Sequence, residues 1–319
     1  MNPHGSESTP SIPRRRWQDY LRLVGSGFAM GSADIVPGVS GGTMAFILGI
    51  YAELIFSIRA VGRPTFWQAL LKGRIKEAAT AINLPFLVAV GSGILLAILT
   101  LARGLSWLLE RHPVLVWSFF FGLVLASVWT VGRRVRRWKT WYFIPLVSTA
   151  LFAFWLVGSF PAQTPKALPW FFLSGMVASV AMILPGISGA FILVLLGKYQ
   201  DVLQAVSAMD ILTLGTVAAG AVVGLVTVAQ VLGWLFRRYH DFTVVLLTGF
   251  MLGSLRKLWP WKEAIEVAEI EGEIITLVEQ LAWPALQVEG QWNLEVALAF
   301  SLMMVGMIVV RWLNGLAQA

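Results

Sequence analysis

The sequence contains no cysteine, which excludes disulfides and thiolate metal sites. Its three histidines, His4, His112 and His240, are far apart, so no zinc set is indicated and no metal or other cofactor is expected. Charge is also scarce. Only 13% of the 319 residues are charged, whereas 57% are hydrophobic. A soluble domain of this length keeps a large water-facing shell and cannot hide so much apolar surface. The surplus must face lipid. Enzyme signatures are scarce as well: there is no HExxH, P-loop or Cys/His cluster, and a non-enzymatic role is expected.

What is present points to a membrane. Fifteen Trp and 19 Phe suit a chain with two membrane–water interfaces. The net charge of +7 does not indicate nucleic acid, because the basic residues sit in short loops between apolar spans. A solvated positive face in contact with membrane lipids is the simpler reading. The polar tail 1–16 ends in Arg14-Arg15-Arg16 and lacks a cleavable signal pattern.

Six segments are long and apolar enough to cross a bilayer: 84–105, 113–131, 142–160, 209–235, 242–258 and 294–313. Two further apolar regions, 20–58 and 168–205, are each broken at the centre by Pro and Gly. The breaks are copies of one another. The first reads Ala33-Asp-Ile-Val-Pro-Gly-Val-Ser-Gly-Gly-Thr43 and continues to Gly49 and Tyr51. The second reads Ala181-Met-Ile-Leu-Pro-Gly-Ile-Ser-Gly-Ala-Phe191 and continues to Gly197 and Tyr199. The offset is 148 residues, the distance from Pro37 to Pro185, which is near half the chain. A weaker echo links Gly122 and Ser127 with Gly249 and Ser254. An internal duplication follows.

Pro-Gly cannot continue a helix. Backbone opened within hydrocarbon is tolerated only where protein or a wet cavity surrounds it. Pro37, Gly38, Pro185 and Gly186 are therefore structural breaks, and two half-length arms, 20–36 and 43–58 in the first copy, suit a re-entrant hairpin. Two kinked spans are the other option. With hairpins and a cytoplasmic N-terminus, 17 of the 24 Lys and Arg fall on the inner side, as the positive-inside tendency asks. Each half then has one hairpin and three spans, and that odd number inverts the second half.

The expected fold class is thus an all-α polytopic membrane protein with an inverted-topology repeat. Its parts are a cytoplasmic tail 1–16, a first repeat 17–160 and a second repeat 161–319. The first repeat includes an interfacial helix over 66–80. The second carries an acidic outer segment, 260–292, whose Glu-rich stretch 263–289 is amphipathic. Both termini are expected in the cytoplasm.

The arm after each break starts with Ser40-Gly41-Gly42-Thr43 or Ser188-Gly189-Ala190. Ser is a favoured N-cap and Gly lets a ligand approach the backbone. Two helix N-termini converging at mid-membrane would hold one anionic head group. Small residues that only let helices pack closely are the bland alternative, and duplication of the motif favours the binding reading. Asp34, replaced by Met182 in the second copy, suits proton coupling, pairing with an Arg, or a bond that shapes the turn. Glu53 and Asp201 sit at matching places and suit an interface position. Arg256 follows the echoed Gly-Ser motif, where it can attract a phosphate or snorkel to the head groups. The cluster Arg133 to Lys139 reads as a topology signal and a lipid contact.

The paired motifs Ala33–Thr43 and Ile183–Gly189, with Gly253-Ser-Leu-Arg-Lys-Leu-Trp-Pro260, resemble the bacterial and archaeal polyprenyl-phosphate transporter (PopT) family over about residues 17 to 315. The resemblance implies a plasma-membrane flippase that returns undecaprenyl phosphate, a lipid carrier, from the outer to the inner leaflet for reuse in cell-envelope synthesis. Matching motif positions are Asp34, Pro37, Gly38, Ser40, Gly41, Gly42 and Thr43, then Pro185, Gly186, Ser188, Gly189 and Arg256. Ala190 and Phe191 stand where the first copy has Gly42 and Thr43, so the half-sites need not bind equally. The rival from another class is a small-anion channel using the same helix ends. Oligomeric state is not legible.

Overall fold

The computed structural model describes residues 15–36, 39–159, 162, 164–270, 273–288 and 291–318. Pro37 and Gly38, the first expected break, lie outside the described residues. The chain begins with α1 (Trp17–Ile35), α2 (Gly41–Ile47) and α3 (Tyr51–Val61), followed by α4 (Pro64–Leu71) and α5 (Ile75–Ala81). Then come α6 (Leu84–Arg111), α7 (Pro113–Gly132) and α8 (Phe143–Val157), the last entered through a 3-10 turn at Thr140–Tyr142. The second half repeats the order with α9 (Leu168–Ile183), α10 (Gly189–Leu195), α11 (Tyr199–Ser207), α12 (Ile211–Arg238), α13 (His240–Leu258) and α14 (Leu294–Gln318).

The chain is a polytopic membrane protein. Among the described residues, α6, α7, Thr140–Val157, α12 and Leu294–Gly315 are long and apolar enough to cross a bilayer. Their outward faces carry large apolar side chains such as Leu99, Trp129, Ile144 and Ile308 in exposed positions, which in a soluble domain would be costly. The sixth expected span, α13, is a 19-residue helix with His240 and Asp241 in its first turn and Arg256 and Lys257 in its last.

Helix pairing follows the same pattern in both halves. α1 packs along α6, and α9 packs along α12. A side chain on Gly27 would collide with the Val90 carbonyl, and one on Gly175 with the Val217 carbonyl, and each position lies 148 or 127 residues from its counterpart in the other half. Rising register, Gly27 on Val90 and Gly31 on Ile94, makes α1 and α6 run parallel. The third helices cross over: α14 packs on α7, whereas α8 packs on α13. Gly122 lies against the Met303 backbone and its echo Gly249 against Leu146 and Thr149. Small residues at these crossings let backbones approach, which is how helices associate where lipid removes the hydrophobic drive.

Three expectations need correction. The arm expected over 43–58 is two helices, because Gly49 (φ 78°) ends α2 just as Gly197 (φ 64°) ends α10. In both, the amide after the glycine reaches back to close the helix, Ile50 to Ala45 and Lys198 to Leu193, a left-handed glycine cap. α11 then leaves at 107° to α10. The interfacial helix over 66–80 is likewise divided into α4 and α5, with Gly73 at φ 70° between them. Finally, the fold is not purely α: β1 (Lys262–Ile270) pairs antiparallel with β2 (Glu273–Leu281), and β3 (Gln287–Val288) with β4 (Gln291–Trp292). Val267, Ile274, Ile275, Thr276 and Val278 favour strands, and this hairpin occupies the acidic segment.

Candidate functional site

The site is built around the start of α2. Ser40 is extended (φ −121°, ψ 131°) and its Oγ accepts a bond from the Gly42 amide at 3.1 Å. The Gly41 amide donates to Asp34 Oδ1 at 2.6 Å, and the Thr43 amide to the Ser40 carbonyl at 2.9 Å. The first-turn amides of α2 are therefore all taken. Of the three roles open to Asp34, this geometry displays the bond that shapes the turn: its carboxylate occupies the positive end of the short helix.

The second copy meets the first at this point. α9 stops at Ile183 because Leu184 is extended and Pro185 follows, which leaves its last carbonyls without helical donors. The Ser40 hydroxyl lies within bonding distance of two of them, Met182 O at 3.2 Å and Leu184 O at 3.4 Å. The Tyr51 hydroxyl donates to the Ile183 carbonyl between them at 3.1 Å. The carbonyl end of one broken helix thus sits on the amide end of the other, an arrangement both dipoles favour. A Cβ on Gly42 would stand 2.7 Å from the Ile183 oxygen, so glycine is required there. Thr43 is fully buried beside this junction, and among the described residues its hydroxyl has no hydrogen-bond partner. A buried hydroxyl without a partner costs on the order of 1–3 kcal/mol.

The second tip differs. Ser188 is buried and caps α10 without a side-chain bond. Gly186 holds φ 95° and packs on Ser254 of α13. Gly189 lies on α9, where a Cβ would come 2.9 Å from the Ala178 carbonyl. Met182, in the place of Asp34, points outward. Among the described residues the amides of Gly189, Ala190 and Phe191 find no acceptor. Pro185 and Gly186 are where the chain turns.

Ser40, Gly41, Gly42, Thr43 and Asp34 therefore form one cluster, joined by the α9 end, with Ser188 and Gly189 one turn further along the second copy. The structure places Arg256 elsewhere. Its guanidinium donates to the Phe154 carbonyl at 3.1 Å and lies 4.5 Å over the Phe154 ring, at the end of α8. Glu53 pairs with Arg15 and accepts from Asn83 at 2.6 Å. Its counterpart Asp201 pairs with Lys166 at 2.7 Å and with the buried Lys198 at 3.2 Å. Each carboxylate thus ties its hairpin down. Sequence reasoning assigned no role to Tyr51, although its repetition as Tyr199 was the available signal. The role of Arg134, which donates to the Ile47 carbonyl at 3.2 Å and so caps the far end of α2, had no local signal.

Residues 30–275 match the family model described as undecaprenyl phosphate translocase-like. A curated protein of Vibrio cholerae serotype O1, named polyprenyl-phosphate transporter, is 43% identical over 263 residues, covering 82% of this chain and 85% of the relative. One of Staphylococcus aureus with the same name is 30% identical over 264 residues, covering 77% and 87%. No solved structure matches the chain.

Proposed function

Because the chain belongs to the undecaprenyl phosphate translocase-like family, we propose that it is a flippase for undecaprenyl phosphate, returning it from the outer to the inner leaflet of the bacterial plasma membrane. There the carrier is reused in cell-envelope synthesis. The relatives are named transporters, and we read this chain as a non-enzyme too. The observation that carries the site is the junction of the two copies, where the α9 carbonyls rest on Ser40 and Tyr51 beside the buried, unpartnered Thr43 hydroxyl.

In this reading each repeat, 17–160 and 161–319, is one re-entrant hairpin and three spans, and the second is inverted. Support comes from chain paths that return to their own face. The last carbonyls of α10, Leu195 and Leu196, accept bonds from Ala162 and Thr164, just before α9. Glu53, at the start of α3, pairs with Arg15, just before α1. The termini are then cytoplasmic, and the binding site lies near the midplane where broken helices meet.

The phosphate is cradled by Ser40, Gly41, Gly42, Thr43, Ser188 and Gly189 in alternation between faces, while the prenyl tail stays in lipid. Asp34 holds the Gly41 amide when phosphate is absent and gives it up when phosphate enters. Arg256 serves the outer approach from the end of α8. A vesicle assay tests this: purified protein is reconstituted with a fluorescent polyprenyl phosphate, and leaflet exposure is read by a membrane-impermeant quencher. Protein-dependent exchange with little current across the same bilayer is expected. Chloride or phosphate current without lipid exchange would favour the anion-channel alternative, although the Gly42–Ile183 contact leaves no room for a wet pore at that junction.

A further inference from the structure

A second feature is suited to a lipid phosphate and lies away from the hairpin tips. α7 and α14 cross tightly where Gly122 meets Met303 and Gly306 meets Phe119. Beyond the crossing they diverge in the same direction and enclose a cavity of about 1100 Å³. Its length is apolar, with Leu125, Trp129, Met304 and Ile308 among the lining residues, and its end carries Arg133, Arg134 and Arg311. Among the described residues no carboxylate lines it and none of the three arginines makes an ion pair. Arg134 is part-buried, and burial lowers its pKa from the ordinary arginine value, so a neighbouring anion would relieve a real cost.

Resting on the translocase reading, we propose that this groove is the inner-leaflet seat for the prenyl phosphate, with the phosphate on Arg133, Arg134 and Arg311 and the tail along Trp129, Met304 and Ile308. Three guanidiniums suit a phosphate monoester, which carries up to two negative charges and three terminal oxygens, better than the single charge of a phosphodiester lipid. The groove is connected to the tip. Arg134 also donates to the Ile47 carbonyl and stacks 5.3 Å over Phe46, while Thr43, three residues before Phe46, stands in the first turn of the same short helix. A phosphate in the groove competes with the α2 carbonyl for one guanidinium. Occupancy there therefore loosens the end of α2 whose other end holds the tip.

The test reads binding, not transport. Full-length protein in nanodiscs is labelled with a photoreactive polyprenyl phosphate, and the adducts are mapped by mass spectrometry. Adducts on Leu125–Trp129 and Met304–Ile308 are expected, with a loss of about tenfold in R133Q/R311Q, whose side chains are both exposed. Thermal melting shows that the variant is folded, and Arg133→Lys with Arg311→Lys should restore part of the labelling. Excess phosphatidylglycerol should compete poorly. Labelling that is absent from α7 and α14, unchanged in the variant, or displaced equally by phosphatidylglycerol overturns the proposal, the last by making the groove a general phospholipid site. Groove labelling without vesicle exchange would instead count against the translocase reading and leave the seat standing. Exchange without groove labelling would do the reverse.

Discussion

The two hairpin tips come from matching motifs, yet one is closed and the other open. All seven residues of α2 are buried, its first-turn amides are occupied, and Ser40 reaches the other copy. In α10 only Ile192 is fully buried, Ser188 makes no capping bond, and Met182 stands where Asp34 would supply a carboxylate. The same backbone plan therefore holds two different states at once. In the proposed inverted-repeat reading, such asymmetry would present the site to one side, and exchanging the two states would present it to the other. The tips differ in chemistry as well, because Asp34 sets a carboxyl group on the Gly41 amide of the first, whereas Met182 stands at that place in the second.

Breaking the closed tip should have the largest effect. Gly42→Val pushes a branched side chain into the Ile183 carbonyl. It should abolish vesicle exchange and cost about 1–3 kcal/mol in thermal unfolding, whereas Ala190→Val at the matched position should retain most activity. Next, Ser40→Leu removes a cap and a bond to the second copy, and its exchange rate should fall at least about tenfold. Ser188→Leu alone should fall less. Equal losses would erase the distinction between the tips.

A smaller effect tests the anchors. Asp201→Asn takes away the carboxylate charge that faces the buried Lys198 and should destabilise by about 2 kcal/mol. Glu53→Gln, at a more exposed pair, should cost about 1 kcal/mol or less. Melting curves in detergent compare the two. The subtlest change sharpens the role of the carboxylate: Asp34→Ala frees the Gly41 amide and should tighten prenyl-phosphate binding severalfold, up to about tenfold for 1.4 kcal/mol. Met182→Asp should weaken it by filling the open tip. Titration of a fluorescent analogue reads both.

Much of this was legible because it is local. Apolar runs gave α6, α7, α8, α12, α13 and α14 within a few residues, and Pro185-Gly186 stand where the chain turns after α9. Gly49 and Gly197 were visible as matched residues, but each fell inside one apolar arm of the expected hairpin, which hid the helix end that a left-handed glycine makes. The strand pair over 262–281 was missed because its glutamates also fit an amphipathic helix. The rest depends on partners far along the chain. Nothing near Gly122 announces Met303, nothing near Arg256 announces the end of α8, and nothing near Tyr51 announces Ile183. Asp34 is an intermediate case: the turn-shaping bond was one of three readings, and only the folded loop shows Gly41 as its donor.

The most direct test of the paired-tip account is vesicle exchange of a fluorescent polyprenyl phosphate by the Ser40→Leu/Ser188→Leu double variant, at equal reconstituted amounts. The account predicts fast exchange by the unaltered protein and a background rate for the double variant, with both proteins folded in the membrane. Exchange by the double variant at the unaltered rate would contradict it.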